Sequence, residues 1–173
     1  AWRGRAVTLQ KILVSRCLLG QAVRYDGGCH GPFALLQDWL SAGRVVPLCP
    51  EVAGGLPVPR APAEIAGGQG DQVLDGLVAV HTAGGEDVSA AFLAGAAEAL
   101  RLVQQYSIRI AVLKARSPSC GNLQNYDGSF SGRRVPGIGV TAAALQRQGV
   151  QVFNEEQLSE AQAFLQQLDA RQC

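Results

Sequence analysis

Ile108-Arg109-Ile110-Ala111-Val112-Leu113, followed by Lys114-Ala115-Arg116-Ser117-Pro118-Ser119-Cys120-Gly121, decides how this chain is read. The first six residues are apolar apart from Arg109. A run so short and continuous predicts a strand covered on both faces, the habit of a parallel sheet. It then breaks into small, polar and turn-forming residues with a thiol among them. In open parallel sheets ligands sit beyond the carboxyl ends of the strands. Cys120 therefore stands where chemistry is expected.

Two other runs end in the same way. Lys11 to Ser15 leads to Cys17, and Val45 to Leu48 leads to Cys49-Pro50-Glu51. Helices are expected between the strands: Phe33 to Ala42, with Pro32 at its start and Gly43 as its stop, then Glu86 to Tyr106, with Asp87 as N-cap. Val140 to Gln148 reads as a further helix and Val150 to Phe153 as a strand. A final helix is striped by Leu158, Ala161, Leu165 and Leu168, behind the capping-box pair Asn154 and Gln157. Leu77 to His81 is expected as one more strand. Cys49 to Pro62 is too rich in proline for much regular structure, and Ala66 to Asp71 reads as an exposed, mobile loop. Tyr126 to Gly132 reads as a small hairpin or a lid. Alternating strands and helices predict an α/β fold, a single domain whose mostly parallel sheet is flanked by helices in a Rossmann-like three-layer sandwich. Residues 1–10 read as an extension or remnant ahead of a domain over 11–173.

The composition sets limits. Of 173 residues, 47% are hydrophobic and 17% charged, and the net charge is +1, so no polyanion partner is advertised. No apolar run reaches the roughly 20 residues of a membrane span, and the first residues lack the core of a secretory signal. Five scattered cysteines do not form a disulfide framework, which suits a reducing, cytoplasmic setting.

The expected topology lets Cys17, Cys49 and Cys120 converge at one sheet edge. Thiolates are the ligands of iron–sulfur clusters, and three of them on a cubane leave one iron open, as in a catalytic zinc site. Spacing alone leaves open the plainer reading of buried thiols, since no closely spaced cysteine motif is present. Glu51 is the carboxylate best placed to act as a base beside a metal-bound substrate. Ser117 and Ser119 face the same space or serve the turn. Arg24, Arg60, Lys114 and Arg116 read as ligand-orienting groups or as surface charges, and Asp26 and Arg60 are the candidates for substrate contact. Cys29 with His30 is a possible fourth ligand, zinc pair or incidental loop pair; Cys173 is read as a free thiol. Cys120 as a hydrolase nucleophile is disfavoured, because no histidine follows it.

Several blocks together resemble the thiouracil desulfidase family: Val14 to Gly20, Arg24 to Gly28, Cys49 to Arg60, Arg116 to Gly121 and Tyr126 to Gly132. They follow the family's order from about Lys11 to Phe153. The resemblance implies a 4Fe–4S cluster on Cys17, Cys49 and Cys120, with Glu51 and Ser117 as catalytic residues. It implies a non-redox reaction in which the C=S of a thiouracil becomes C=O and sulfide leaves. The substrate sulfur would bind the open iron, water would attack the ring carbon with Glu51 as base, and Ser117 would relay a proton or position the ring. Arg16 stands where that pattern usually has a small residue, and Ala115 where it often has serine. Relatives that act on thiolated tRNA carry a second domain, so a free thiolated pyrimidine base or nucleoside is the expected partner rather than nucleic acid. The alternatives are a non-catalytic zinc or iron–sulfur module and a tRNA thiouridine desulfidase.

Overall fold

A computed structural model describes residues 9–20, 26 and 33–171. Its centre is a four-stranded sheet in the order β2-β1-β5-β8, formed by Ile12–Ser15 (β1), Val45–Leu48 (β2), Ile110–Leu113 (β5) and Gln151–Asn154 (β8). All three pairings are parallel, with Leu13 opposite both Val46 and Ala111, and Ala111 opposite Val152.

The side chains alternate between two cores, as strand geometry requires. Leu13, Val46, Leu48, Ala111, Leu113 and Val152 face one core, which Ala99 and Leu102 of α4 (Ser89–Tyr106) and Ala142 and Leu145 of α5 (Val140–Arg147) complete. Ile12, Val14, Ile110 and Val112 face the other, against Leu36 and Trp39 of α1 (Ala34–Ser41) and Ala161, Leu165 and Leu168 of α6 (Leu158–Arg171). The three layers are thus present. The central strands β1 and β5 are buried at every position, which is why they show no polar alternation, whereas the edge strands β2 and β8 leave Pro47 and Gln151 exposed.

The segment between β2 and α4 departs from expectation. Leu77 to His81 does not join the main sheet: β4 (Val80–Thr82) pairs antiparallel with β3 (Ala63–Ile65), a strand the sequence did not reveal. Gly76 turns at φ +75° and Leu77 is 71% exposed, so only the end of the run is available to pair. Ile65, Val73 and Val80 instead build a third core against Val88, Phe92 and Ala96 on the outer side of α4. One helical turn, α2 (Pro50–Ala53), follows Cys49 directly, so the proline-rich stretch is irregular only beyond it.

Ala66 to Asp71 is not a free loop. Gly70, buried at the start of α3 (Gly70–Leu74), donates its N–H to Ile138 O at 2.7 Å, and Gln69 and Gln72 cap that helix reciprocally. Asp87 caps α4 from one position further out, accepting the Ser89 N–H at 2.9 Å. Tyr126 to Gly132 lies at the tip of a hairpin of β6 (Gln124–Tyr126) and β7 (Arg134–Pro136). No helix among the described residues is long and apolar enough to cross a membrane.

Candidate active site

Three adjacent strands, β2, β1 and β5, end on the same edge of the sheet, and each hands the chain to a cysteine. Cys17 lies in a tight helical turn over Arg16–Leu19, Cys49 precedes α2, and Cys120 closes the turn after β5. All three are free thiols and all three line one cleft of about 800 Å³. Burial pushes the Cys120 thiol well above its ordinary value, with the nearby Cys49, Cys17 and Glu51 adding to the rise. Cys120 is 5% exposed. A thiol so placed is poorly suited to be a free nucleophile, which weighs against the hydrolase reading.

The turn that carries Cys120 is held from several sides. Ser117 Oγ accepts the N–H groups of Ser119 and Cys120, each at 3.1 Å. The carbonyls of Pro118 and Ser119 accept the first N–H groups of α5, those of Val140 (2.9 Å) and Thr141 (2.9 Å). Gly139 has no room for a side chain here: a Cβ would stand 2.5 Å from the Ser119 carbonyl. Ser117 lines the cleft, and its hydroxyl proton has no acceptor among the described residues. Ser119 does not share that space. Its side chain is buried and pairs with Thr141 Oγ1 at 2.9 Å.

Ser15, at the last position of β1, was not singled out by the sequence. Its Oγ accepts the Lys114 N–H at 3.0 Å and faces Cys120 Sγ at 3.7 Å. A polar residue closing an otherwise apolar strand was the available signal.

Glu51 projects from α2 into the cleft, with its side chain 15% exposed. Arg60 Nε donates to Glu51 Oε2 at 3.0 Å, its Nη2 donates to the same oxygen, and its Nη1 donates to Pro57 O at 3.2 Å. The seat of α2 depends on two glycines. A Cβ on Gly54 would stand 1.9 Å from Ala91 O, and one on Gly95 would stand 2.1 Å from Pro50 O. Helix α2 therefore rests directly on α4, and Glu51 is fixed by backbone contact.

Lys114 and Arg116, also expected to orient a ligand, line the cleft too, but with partners. Lys114 Nζ pairs with Glu155 Oε2 at 3.0 Å, and Arg116 Nη1 with Glu156 Oε1 at 2.9 Å. Glu155 also accepts the Ala115 N–H at 2.6 Å, fastening the start of the turn. Arg16 lines the cleft beside Cys17. Asp26 is exposed, whereas Arg24, Cys29, His30 and Cys173 lie outside the described residues. His81 sits opposite Glu64 in the β3–β4 pair and is not part of the cleft lining.

The donor set suits an iron–sulfur cluster, whose ligands are thiolates. A single tetrahedral zinc ion, with Zn–S near 2.3 Å, needs its ligands drawn tightly together. Among the described residues no group of three or more His, Cys, Asp or Glu side chains is gathered to hold one metal ion. Cys17, Cys49 and Cys120 put three thiols on the lining of one cleft, the kind of donor such a cluster takes.

Comparison with known proteins bears on the chain as a whole. The chain is 42% identical over 149 residues to YbbK, an uncharacterized protein of Bacillus subtilis (strain 168), across 86% of this chain and 98% of that one. It is similar to a solved structure of the [4Fe-4S]-dependent thiouracil desulfidase TudS, with a TM-score of 0.83 and 47% identity over 91% of this chain and 98% of that one. The sequence model of the 2-thiouracil desulfurase family matches residues 12–157, and the chain belongs to that family.

Proposed function

We propose that this protein converts the C=S group of a thiolated pyrimidine to C=O and releases sulfide, with a 4Fe–4S cluster held by Cys17, Cys49 and Cys120. The observation that carries the reading is the meeting of these three free thiols with Glu51 in one cleft, in a chain of this family. Bound there, a cubane on three thiolates supplies an iron with an open position, soft enough to take the substrate sulfur and make its carbon electrophilic.

The remaining chemistry falls to side chains. Overall, C=S and one water become C=O and hydrogen sulfide, so water must lose its protons as the C–O bond forms. Glu51 is the base we assign to that water, and Arg60 holds the carboxylate in place through Oε2, leaving Oε1 for the proton. Ser117, with its oxygen committed to two N–H groups, has its proton to donate toward the departing sulfur or the ring. Leu56, Pro57, Val88 and Phe92 give the cleft apolar walls that suit an uncharged heterocycle. Net charge of +1 and paired cations around the mouth favour a free base or nucleoside over a nucleic acid. The free thiols favour a reducing compartment, which we take to be the cytoplasm.

The test is anaerobic purification with iron and acid-labile sulfide assays, then incubation with 2-thiouracil and 4-thiouracil while released sulfide is measured. Bound iron with sulfide release supports the proposal. A protein that takes up zinc alone, or an iron-loaded one that releases no sulfide from either compound, overturns it.

A further inference from the structure

One wall of the cleft has no part in the chemistry above. The tip of the β6–β7 hairpin places Phe130 on it, with the residue 37% exposed. Phe130 adopts φ +58°, a left-handed conformation that a bulky residue enters only at a cost. Such strain persists where the surroundings enforce it, and it gathers at ligand sites.

The enforcing group is Glu64 on β3. Its Oε1 accepts the N–H of Gly128 at 2.9 Å and that of Phe130 itself at 3.3 Å. Gly128 lies flat against the same strand end, since a Cβ there would stand 2.4 Å from Ala66 Cα. On the near side Asp127 Oδ1 takes the Ser129 N–H at 2.9 Å and its hydroxyl proton, and Ser129 Oγ meets Ser131 Oγ at 2.6 Å. The loop is fastened on both sides of Phe130, yet over a third of the residue remains open to solvent. Leaving an aromatic ring in water forgoes the gain of burying it. A flat guest that covers it recovers that gain, and any heteroaromatic ring offers such a face.

We propose that Phe130 is the surface on which the flat ring of the substrate stacks, and that Glu64 is the positioning residue that holds it over the cleft. The identity of the ring as a pyrimidine rests on the desulfidase reading; the stacking itself is a matter of binding. The test therefore separates the two. The protein purified anaerobically with its iron is titrated calorimetrically with uracil and with 4-thiouracil, and sulfide release is followed in parallel. Phe130→Ala is expected to weaken ring binding about tenfold, with KM rising by more than kcat falls. Phe130→Tyr keeps a flat face and is expected to bind like the wild type. Phe130→Leu keeps apolar bulk without the flat face and is expected to bind as weakly as Phe130→Ala. Glu64→Ala is expected to follow Phe130→Ala, while Glu64→Gln, which retains an acceptor oxygen, recovers much of the affinity. Phe130→Leu binding uracil as tightly as the wild type overturns the stacking role, and so does a wild type that binds neither ring at millimolar concentration. A wild type that binds both rings but releases no sulfide, with Phe130→Leu weakened, refutes the desulfidase reading and leaves the stacking assignment standing.

Discussion

Ser15 Oγ lies 3.7 Å from Cys120 Sγ and directs its proton at that sulfur. The direction follows from donor counting: the hydroxyl has one proton, and its oxygen is already an acceptor for the Lys114 N–H at 3.0 Å. One buried hydroxyl thus ties β1 to β5 where both strands end. Ser15→Ala strands a backbone donor at that edge, and the expected cost is about 1–3 kcal/mol. Urea unfolding of the metal-free protein measures it, and an unchanged midpoint would show that water takes the place of the hydroxyl.

The Glu51–Arg60 pair makes a different demand, on rate. Glu51→Gln keeps the shape and removes the base, and sulfide release is expected to fall about 10²- to 10⁴-fold with iron content unchanged. Arg60→Met leaves the carboxylate in place without its clamp. Its kcat is expected to fall less than that of Glu51→Gln, with partial recovery in Arg60→Lys. Equal rates in Arg60→Met and wild type would show that Arg60 does not set the carboxylate.

Removal of a proposed ligand is expected to unload the site without unfolding the chain. Cys120 and Cys17 are one member each of the two cores on either face of the sheet, and the rest of both cores is aliphatic or aromatic. Cys49→Ala, the least buried of the three positions, is expected to lose bound iron and all sulfide release while its far-UV circular dichroism matches the wild type. A chelator-stripped protein that unfolds would place the group among structural metals instead.

The hairpin tip has its own pH dependence. Hydrogen bonds from the Ser129 side chain and backbone hold the Asp127 carboxyl below its ordinary value, with Arg133 adding a smaller pull. A group whose folded value is depressed stabilises the fold above the unfolded value, near 4, and that stabilisation is lost as pH falls through the folded value. The loop is therefore expected to loosen only in acid below about pH 4, with faster amide exchange at Ser129. Asp127→Asn is expected to flatten that response.

Gly95→Ala sets helix propensity against packing. Alanine gains up to about 1 kcal/mol within α4. Its Cβ would stand 2.1 Å from Pro50 O, a backbone atom that cannot yield alone, and overpacking of this kind costs about 1–3 kcal/mol. Packing is expected to win. Net destabilisation in thermal unfolding should come with reduced sulfide release, because α2 carries Glu51.

What the sequence revealed was set by the range of each signal. β1 and β5 are short apolar runs buried throughout, and β2 and β8 keep an apolar centre, so composition exposed all four, and the parallel order then implied that Cys17, Cys49 and Cys120 share an edge. The three-residue β3 and β4 carry no period long enough to detect, and Leu77 supplied apolar character that the fold leaves in water. Ser119 looked equivalent to Ser117 because a turn's sequence does not say which hydroxyl faces inward; Thr141, 22 residues away, decides it. Arg60 was legible as a charge near the site, whereas its hold on Glu51 depends on how the proline-rich segment turns back, which no local rule gives.

The strand order has a consequence in time. A nascent chain releases Cys17 and Cys49 early, on neighbouring strands joined through α1, whereas β5 must thread in beside β1 after the whole excursion through α4. Parallel pairings of such long range form late. Of the three proposed ligands, a chain that has not yet reached β5 carries Cys17 and Cys49 alone, and Cys120 arrives only when the central strands close, so loading of the proposed site would double as a check that the sheet is complete.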